Sequence, residues 1–173
     1  ALVPEVIKNY AVHYETKQPI PQALIDKIKK ASTFNQGYMT TELVSAAMTD
    51  MMWHTVTDES QFKPVLDFEK QALASNGFTL SAVPPRYHSP YFAHVFGGGY
   101  SAGYYAYIWA ETLDADAWEW IQANGGMTRE NGDRYRKYIL SVGNSEDLNE
   151  AYRKFTGRNP DIKPLLRNRG FIK

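Results

Sequence analysis

The spacing of apolar residues along the chain predicts helices from the start. Pro4 suits a first helical turn, and apolar residues follow it at helical spacing, so a first helix is expected to end near Thr16. A turn at residues 17–21 separates it from a short amphipathic helix around residues 24–28. Residues 40–56 contain no Gly or Pro and carry one wide apolar stripe, which predicts a buried helix.

The same periodicity continues through most of the second half. Start signals at residues 58–60 and the stop at Asn76-Gly77 bound another helix. Further helices are expected at residues 104–123, 129–141 and 145–156. No segment alternates apolar and polar residues in the manner of a strand. The pattern therefore predicts an all-α protein, with residues 1–173 forming a single helical domain or a fragment of one.

Residues 78–103 break this pattern with prolines, glycines and aromatic residues. Long loops without regular structure are uncommon in compact domains and are usually functional. The aromatic side chains argue against disorder. We therefore expect a functional loop rich in glycine and aromatic residues at residues 84–103.

Composition excludes several classes of function. The 173 residues carry 19 basic and 19 acidic side chains, so no excess positive charge is present to attract nucleic acid or an anionic membrane. No apolar run approaches the ~20 residues of a membrane span. Cysteine is absent, which excludes disulfides and thiolate zinc sites. The sequence does not distinguish a cytoplasmic from a periplasmic location.

Histidine is the first candidate for chemistry because its pKa lies near neutrality. None of the four histidines is followed by Glu, so the H-E-x-x-H zinc motif is absent. Asp50 and His54 lie one helical turn apart, which favours a pair that supports helix packing over a metal site. We expect no metal site in this segment. His88 and His94 lie in the aromatic loop, where each can contact a ligand singly.

Tyrosines around the glycine run are the second candidate. Gly97-Gly98-Gly99 lacks the Lys-Ser/Thr that a phosphate-binding loop requires, and indicates a hinge or a close approach of backbone to ligand. Tyr105 is expected in the core, on one face with Trp109 and Leu113. Tyr100 and Tyr107 lie off that face and either donate O–H groups to a cleft or pack as core residues.

Several long segments make the chain recognisable, namely residues 34–38, 50–54, 86–100, 109–111, 128–134, 158–160 and 165–170. In this order they resemble the C-terminal portion of the thimet-oligopeptidase family of zinc metallopeptidases, and its peptidyl-dipeptidase branch in particular. The resemblance covers nearly the whole chain.

The resemblance implies the C-terminal part of a larger, mostly helical two-lobed enzyme with a substrate channel. In that family the zinc ligands and general base precede the region matched here, so zinc would belong to the full-length enzyme and this segment alone would be inactive. His94, Tyr100 and Tyr107 match the family's substrate-contacting His and two Tyr residues. The six-residue step from His94 to Tyr100 fits the branch that releases dipeptides.

These matches imply a role for each residue. Tyr107 would donate to the oxyanion formed during peptide hydrolysis. His94 and Tyr100 would bind the substrate peptide, and Gly98 and Gly99 would let the loop close over it. The implied partners are short peptides and the N-terminal remainder of the same enzyme. Two alternatives stay open: a stand-alone, non-catalytic helical peptide-binding module, and a structural domain in which the aromatic loop is buried packing.

Overall fold

The computed structural model of the protein describes residues 2–173, which divide into two compact units at residue 36. The prediction of an all-α fold is confirmed, because these residues form helices and turns and no strand. An isolated antiparallel bridge between Val12 and Pro19 is the nearest approach to sheet structure among them. The assignment of residues 1–173 to one domain stays a prediction.

In the first unit, the expected first helix is much shorter than its apolar pattern suggested. Helix α1 covers Pro4–Ile7 and does not reach Thr16. The chain instead reverses through Lys17, which has a left-handed φ of 58°, and Val12 pairs with Pro19. Residues before proline avoid helical geometry and β-branched residues favour extended geometry, so this segment leaves the helix. Helix α2, Gln22–Ala31, follows as predicted.

The second unit contains the remaining helices. Those expected at residues 40–56, 104–123 and 145–156 lie close to their expected limits, whereas the helix expected to start at residues 58–60 begins only at Val65. The helix predicted at residues 129–141 ends in a π-helical turn, Arg136–Leu140, and the apolar pattern did not reveal the last helix. The helices are α3, Gln36–His54; α4, Val65–Ser75; α5, Ala93–Phe96; α6, Ala106–Ala123; α7, Arg129–Tyr135; α8, Leu148–Thr156; and α9, Lys163–Asn168.

The aromatic loop contains regular structure and contributes to the core. It includes a 3₁₀ turn, Ser89–Tyr91, followed by α5, so the expectation of a loop without helices is wrong. Phe92 and Val95 from this loop are each 1% exposed. They pack with Tyr104 against buried residues of α3. Because these side chains fill the core, the base of the loop is fixed to the α3 helix.

Helix α6 turns a different face to the core than its apolar pattern indicated. Tyr105 is 52% exposed, and Tyr104 is the buried tyrosine at 3%, so the placement of Tyr105 in the core is wrong. The buried face continues through the polar residues Thr112 and Asp116, which find partners inside the protein. Hydrophobicity alone assigns such residues to the surface, which shifted the predicted face by one position.

None of the helices described has both the length and the apolar character needed to cross a membrane.

The α6 helix packs against α9, and the π-helical turn packs against α7 and α8. An open apolar cavity of about 470 Å³ lies beside α6, and Trp109 and Leu113 are among its lining residues. Trp109 is accordingly 48% exposed.

Candidate functional site

His94, Tyr100 and Tyr107 converge on one face of the aromatic loop. The His94 ring centroid lies 6.2 Å from that of Tyr100 and 6.4 Å from that of Tyr107. The two tyrosine rings are nearly parallel, with centroids 5.7 Å apart and an angle of 9° between their planes. Tyr107 lies in the first turn of α6, and Tyr100 ends the glycine run. The structure thus brings together three residues that the sequence singled out separately.

Both tyrosines of the pair keep part of their side chains exposed, 41% for Tyr100 and 38% for Tyr107. A hydrogen-bonding interaction with the neighbouring Tyr100 hydroxyl raises the pKa of Tyr107 above its ordinary value. A raised phenol pKa keeps the O–H protonated at neutral pH. The pair can therefore donate hydrogen bonds to an oxygen on a bound molecule.

His94 is half-buried and surrounded by aromatic rings. The Tyr87 centroid lies 4.9 Å from the His94 centroid and the Tyr104 centroid lies 5.5 Å away. Within residues 2–173, the Nδ1 atom of His94 is buried and has no hydrogen-bond partner. A buried N–H without an acceptor is rarer in proteins than an under-satisfied acceptor, so we assign the proton to Nε2. In that tautomer Nε2–H is a donor.

The glycines of the loop are required by two different backbone constraints. A Cβ atom at Gly98 would lie 2.9 Å from the His94 carbonyl oxygen and 3.1 Å from the Ala93 carbonyl oxygen, which is closer than real contacts allow. Gly99 has a φ of 80°, in the left-handed region that favours glycine. Both residues close the turn that brings the Tyr100 N–H to the His94 carbonyl, at 3.0 Å.

The start of the loop is held to α3 through Arg86. Its backbone N–H donates to the Glu42 carbonyl at 2.9 Å, and its guanidinium donates to the Glu42 carboxylate at 3.0 Å. The ion pair with Glu42 raises the pKa of Arg86. Burial raises the pKa of Tyr104, although Arg86 opposes that shift. These two hydrogen bonds from one residue fix the start of the loop against α3.

The middle of the loop is held to α4 through the buried carboxylate of Glu69. His88 Nδ1 contacts one Glu69 oxygen. The Ser89 N–H and hydroxyl both donate to the other oxygen, at 2.8 and 2.9 Å. The Trp53 indole N–H donates to the Ser89 hydroxyl at 2.9 Å. His88, considered above as a ligand-binding residue, is thus engaged with Glu69, apart from the His94 cluster.

The end of the loop is held to α3 through Asp50, whose side chain has no exposed surface. One carboxylate oxygen accepts from the Ala102 N–H and the other from the Tyr104 N–H, both at 2.9 Å. The expected pair with His54 is present, since His54 Nδ1 lies 2.8 Å from Asp50 Oδ1. The sequence indicated the pair but gave no signal for the backbone contacts, which join residues 52 and 54 positions apart.

No three His, Asp or Glu side chains converge as a metal site would require within the part of the chain that the structure describes. The two His–carboxylate pairs at the loop, Asp50–His54 and Glu69–His88, each have two members.

Residues 1–171 match the sequence model of peptidase family M3. The chain is 50% identical over 167 residues to the dipeptidyl carboxypeptidase of Escherichia coli K12, covering 96% of this chain and 24% of that protein. It is 48% identical to the dipeptidyl carboxypeptidase of Salmonella typhimurium, and the match covers 96% of this chain and 25% of that protein. It is 32% identical to the oligopeptidase A of Salmonella typhimurium, and the match covers 96% of this chain and 24% of that protein. The chain thus spans about a quarter of the length of these relatives.

Proposed function

Because the chain belongs to peptidase family M3, we propose that it is the substrate-binding segment of a zinc-dependent peptidyl-dipeptidase. The whole enzyme would hydrolyse peptides and release C-terminal dipeptides. The observation that carries this proposal is the convergence of His94, Tyr100 and Tyr107 on the aromatic loop. The higher identity to two dipeptidyl carboxypeptidases than to oligopeptidase A supports dipeptide release.

The hydroxyl of Tyr107 is the proposed catalytic group. Attack of water on a peptide carbonyl turns its oxygen into an oxyanion, and a fixed O–H donor stabilises charge that develops only in the transition state. Tyr107 lies in the first turn of the long α6 helix, and this fixed position limits how far the residue must move during the reaction.

Tyr100 and His94 are proposed to bind the peptide on either side of that carbonyl. Tyr100 would donate to the scissile or a neighbouring carbonyl, and Nε2–H of His94 would donate to another backbone oxygen. Gly98 and Gly99 form the turn between them, where the absence of side chains lets a peptide backbone approach closely. Backbone contacts of this kind tolerate many side chains, which suits a peptidase that acts on varied short peptides.

The family is one of zinc metallopeptidases, and we propose that the zinc is bound by other parts of the enzyme. Residues 2–173 offer no set of three converging ligands. The remainder of the enzyme is accordingly the proposed partner of this segment, and the segment alone is expected to be inactive. Short peptides are the proposed substrates.

The test is Tyr107→Phe in the complete protein that carries this chain, which removes one donor and keeps the ring. With an N-terminally blocked tetrapeptide as substrate, we expect kcat to fall by roughly 10²–10³, the loss typical of one oxyanion donor. KM and zinc content should change little. Tyr105→Phe is the matched control, because Tyr105 is a half-exposed neighbour on α6, and it should retain most activity.

Two results would overturn parts of this proposal. A Tyr107→Phe enzyme with full kcat, or one that loses activity only through KM, would contradict the oxyanion assignment and make Tyr100 the candidate. Mass spectrometry identifies the released product. Release of single amino acids, or cleavage only at internal bonds, would contradict the dipeptidase assignment and leave the family membership unaffected.

A further inference from the structure

The turn that joins the glycine run to α6 is set from outside by Asp50. We propose that Asp50 is a positioning residue, which orients Tyr100 and Tyr107 by holding Ala102 in a left-handed backbone conformation. The expected effect on catalysis rests on the function proposed above. The effect on the backbone does not, so the two can be tested separately.

Ala102 carries backbone strain at the centre of this turn. Its φ is 53°, a left-handed value that costs an L-residue with a Cβ atom free energy. The turn is tight: the Gly103 N–H donates to the Tyr100 carbonyl at 2.8 Å, and a Cβ at Gly103 would lie 3.2 Å from that oxygen. Such strain persists only where surrounding structure over-determines it. Something must therefore hold Ala102 in place.

The Asp50 carboxylate supplies that restraint. It accepts the backbone N–H groups of Ala102 and Tyr104, one on each oxygen and both at 2.9 Å. Asp50 has no exposed surface, so water does not compete for these two hydrogen bonds. His54 Nδ1 lies 2.8 Å from Asp50 Oδ1 and 2.9 Å from the Asp50 carbonyl oxygen.

The restrained turn lies between the two tyrosines of the site. Tyr100 precedes Ala102 by two residues, and Tyr107 follows Tyr104 by three in the first turn of α6. The nearly parallel stacking of the two rings requires a fixed path between them. If Ala102 relaxed to a right-handed or extended conformation, Tyr100 would turn relative to α6 and the pair would separate.

The first measurement is amide hydrogen exchange in the complete protein, comparing wild type with Asp50→Asn. The side-chain amide keeps one acceptor oxygen and puts an NH₂ group where the other oxygen was. We expect the Ala102 and Tyr104 amides to exchange about tenfold or more faster in the variant, with exchange in the middle of α3 unchanged. This readout involves no catalysis and stands whether or not Tyr107 is catalytic.

The second measurement is kcat with rescue. Without the restraint from Asp50, the fraction of molecules in which Ala102 stays left-handed should fall about five- to thirtyfold. We therefore expect Asp50→Asn to lower kcat by about that factor. Adding Ala102→Gly should restore most of the loss, since Gly adopts the left-handed conformation freely. In a Tyr107→Phe background, Asp50→Asn should lower kcat by a smaller factor than in wild type, because residues that act through one another are not additive.

Asp116→Asn is the matched control, because Asp116 is the other aspartate without exposed surface on a long helix. Its effect on kcat should be unaltered by Ala102→Gly. If Asp50→Asn does not fold, Ala102→Val tests the same turn with Asp50 intact and should lower kcat, because β-branched residues avoid left-handed geometry.

Unchanged exchange at Ala102 and Tyr104 in Asp50→Asn would overturn the inference. So would a loss of kcat that Ala102→Gly does not restore, or an Ala102→Val enzyme with wild-type kcat. If the exchange result is as expected and Tyr107→Phe keeps full activity, the positioning by Asp50 stands and the proposed role of Tyr107 fails.

Discussion

Two aspartates without exposed surface lie on the two longest helices, and they are compensated in different ways. Asp116 on α6 accepts two hydrogen bonds from the Arg158 guanidinium, at 2.6 and 2.9 Å. It also accepts from the Tyr152 hydroxyl at 2.6 Å and from the Asp161 N–H at 3.2 Å. Asp50 on α3 has no guanidinium partner. Its two carboxylate oxygens accept from two backbone N–H groups, and the neighbouring His54 Nδ1 bonds to the Asp50 backbone carbonyl at 2.9 Å.

The difference separates a carboxylate that holds elements together from one that sets a backbone conformation. Asp116 connects α6 to α8 and to the segment after it through side chains, so its partners determine stability. Asp50 binds the backbone on both sides of Gly103, so its partners determine φ and ψ beside the tyrosines. Burial of both carboxyl groups is tolerated because every oxygen is hydrogen-bonded.

The ionisation of Asp116 follows from its partners. Burial alone would raise the pKa of Asp116, but Arg158, Tyr152 and the Asp161 N–H together hold it below its ordinary value. Burial, followed by the hydrogen bond to Asp116, raises the pKa of Tyr152 far above the usual range for a phenol. A folded-state pKa below the unfolded value means that this carboxylate stabilises the fold above about pH 4, and that the contribution is lost as the pH falls through the folded pKa.

The largest expected effect is that of Arg158→Met on stability. Removing the cation leaves a buried carboxylate with neutral partners only, which costs about 3–5 kcal/mol for a fully buried pair. Because the Arg158 side chain is 43% exposed, we expect the lower end, about 3 kcal/mol, from urea unfolding at pH 7. The loss should shrink as the pH falls below about 4 and Asp116 becomes protonated in the variant. A loss that stays constant down to pH 3 would contradict the assigned charge.

A smaller effect is expected at the glycine turn, where Gly98→Ala should lower kcat of the complete enzyme by about tenfold. The added Cβ meets two backbone oxygens at about 3 Å, so the turn between His94 and Tyr100 must shift, and small displacements of a positioned group are costly to catalysis. Gly97→Ala is the matched control, because its Cβ would lie 3.7 Å from its nearest neighbour, an ordinary contact. Equal kcat values for the two variants would mean that the shape of this turn does not matter to the site.

Local pattern predicted most helices, and it failed where distant residues decide the outcome. Helix α3 forms close to its predicted bounds, but its buried face includes the polar residues Ser45, Thr49 and Asp50, which the apolar stripe did not indicate. The first helix was overestimated, because pairing of residues 12 and 19 ends it early. On α6, the buried Asp116 and Thr112 look like surface residues until their partners are known.

The residues of the candidate site could be selected from the sequence, but the contacts that hold the loop in place could not. His94, Tyr100 and Tyr107 were selected from the sequence, and the structure places their rings within 6.4 Å of one another. The contacts that fix the loop join positions 19 to 54 residues apart, such as Glu69 to His88 and Asp50 to Tyr104. Sequence spacing carries no signal for pairs this distant.

The most direct test of the proposed site is a crystal structure of the complete protein with a product dipeptide or an uncleaved peptide bound. The account predicts that the Tyr107 hydroxyl and His94 Nε2 each lie within hydrogen-bonding distance, about 2.6–3.2 Å, of a peptide oxygen, with the Tyr100 hydroxyl beside them. A peptide bound elsewhere, with all three groups more than about 5 Å from any of its oxygens, would contradict the account.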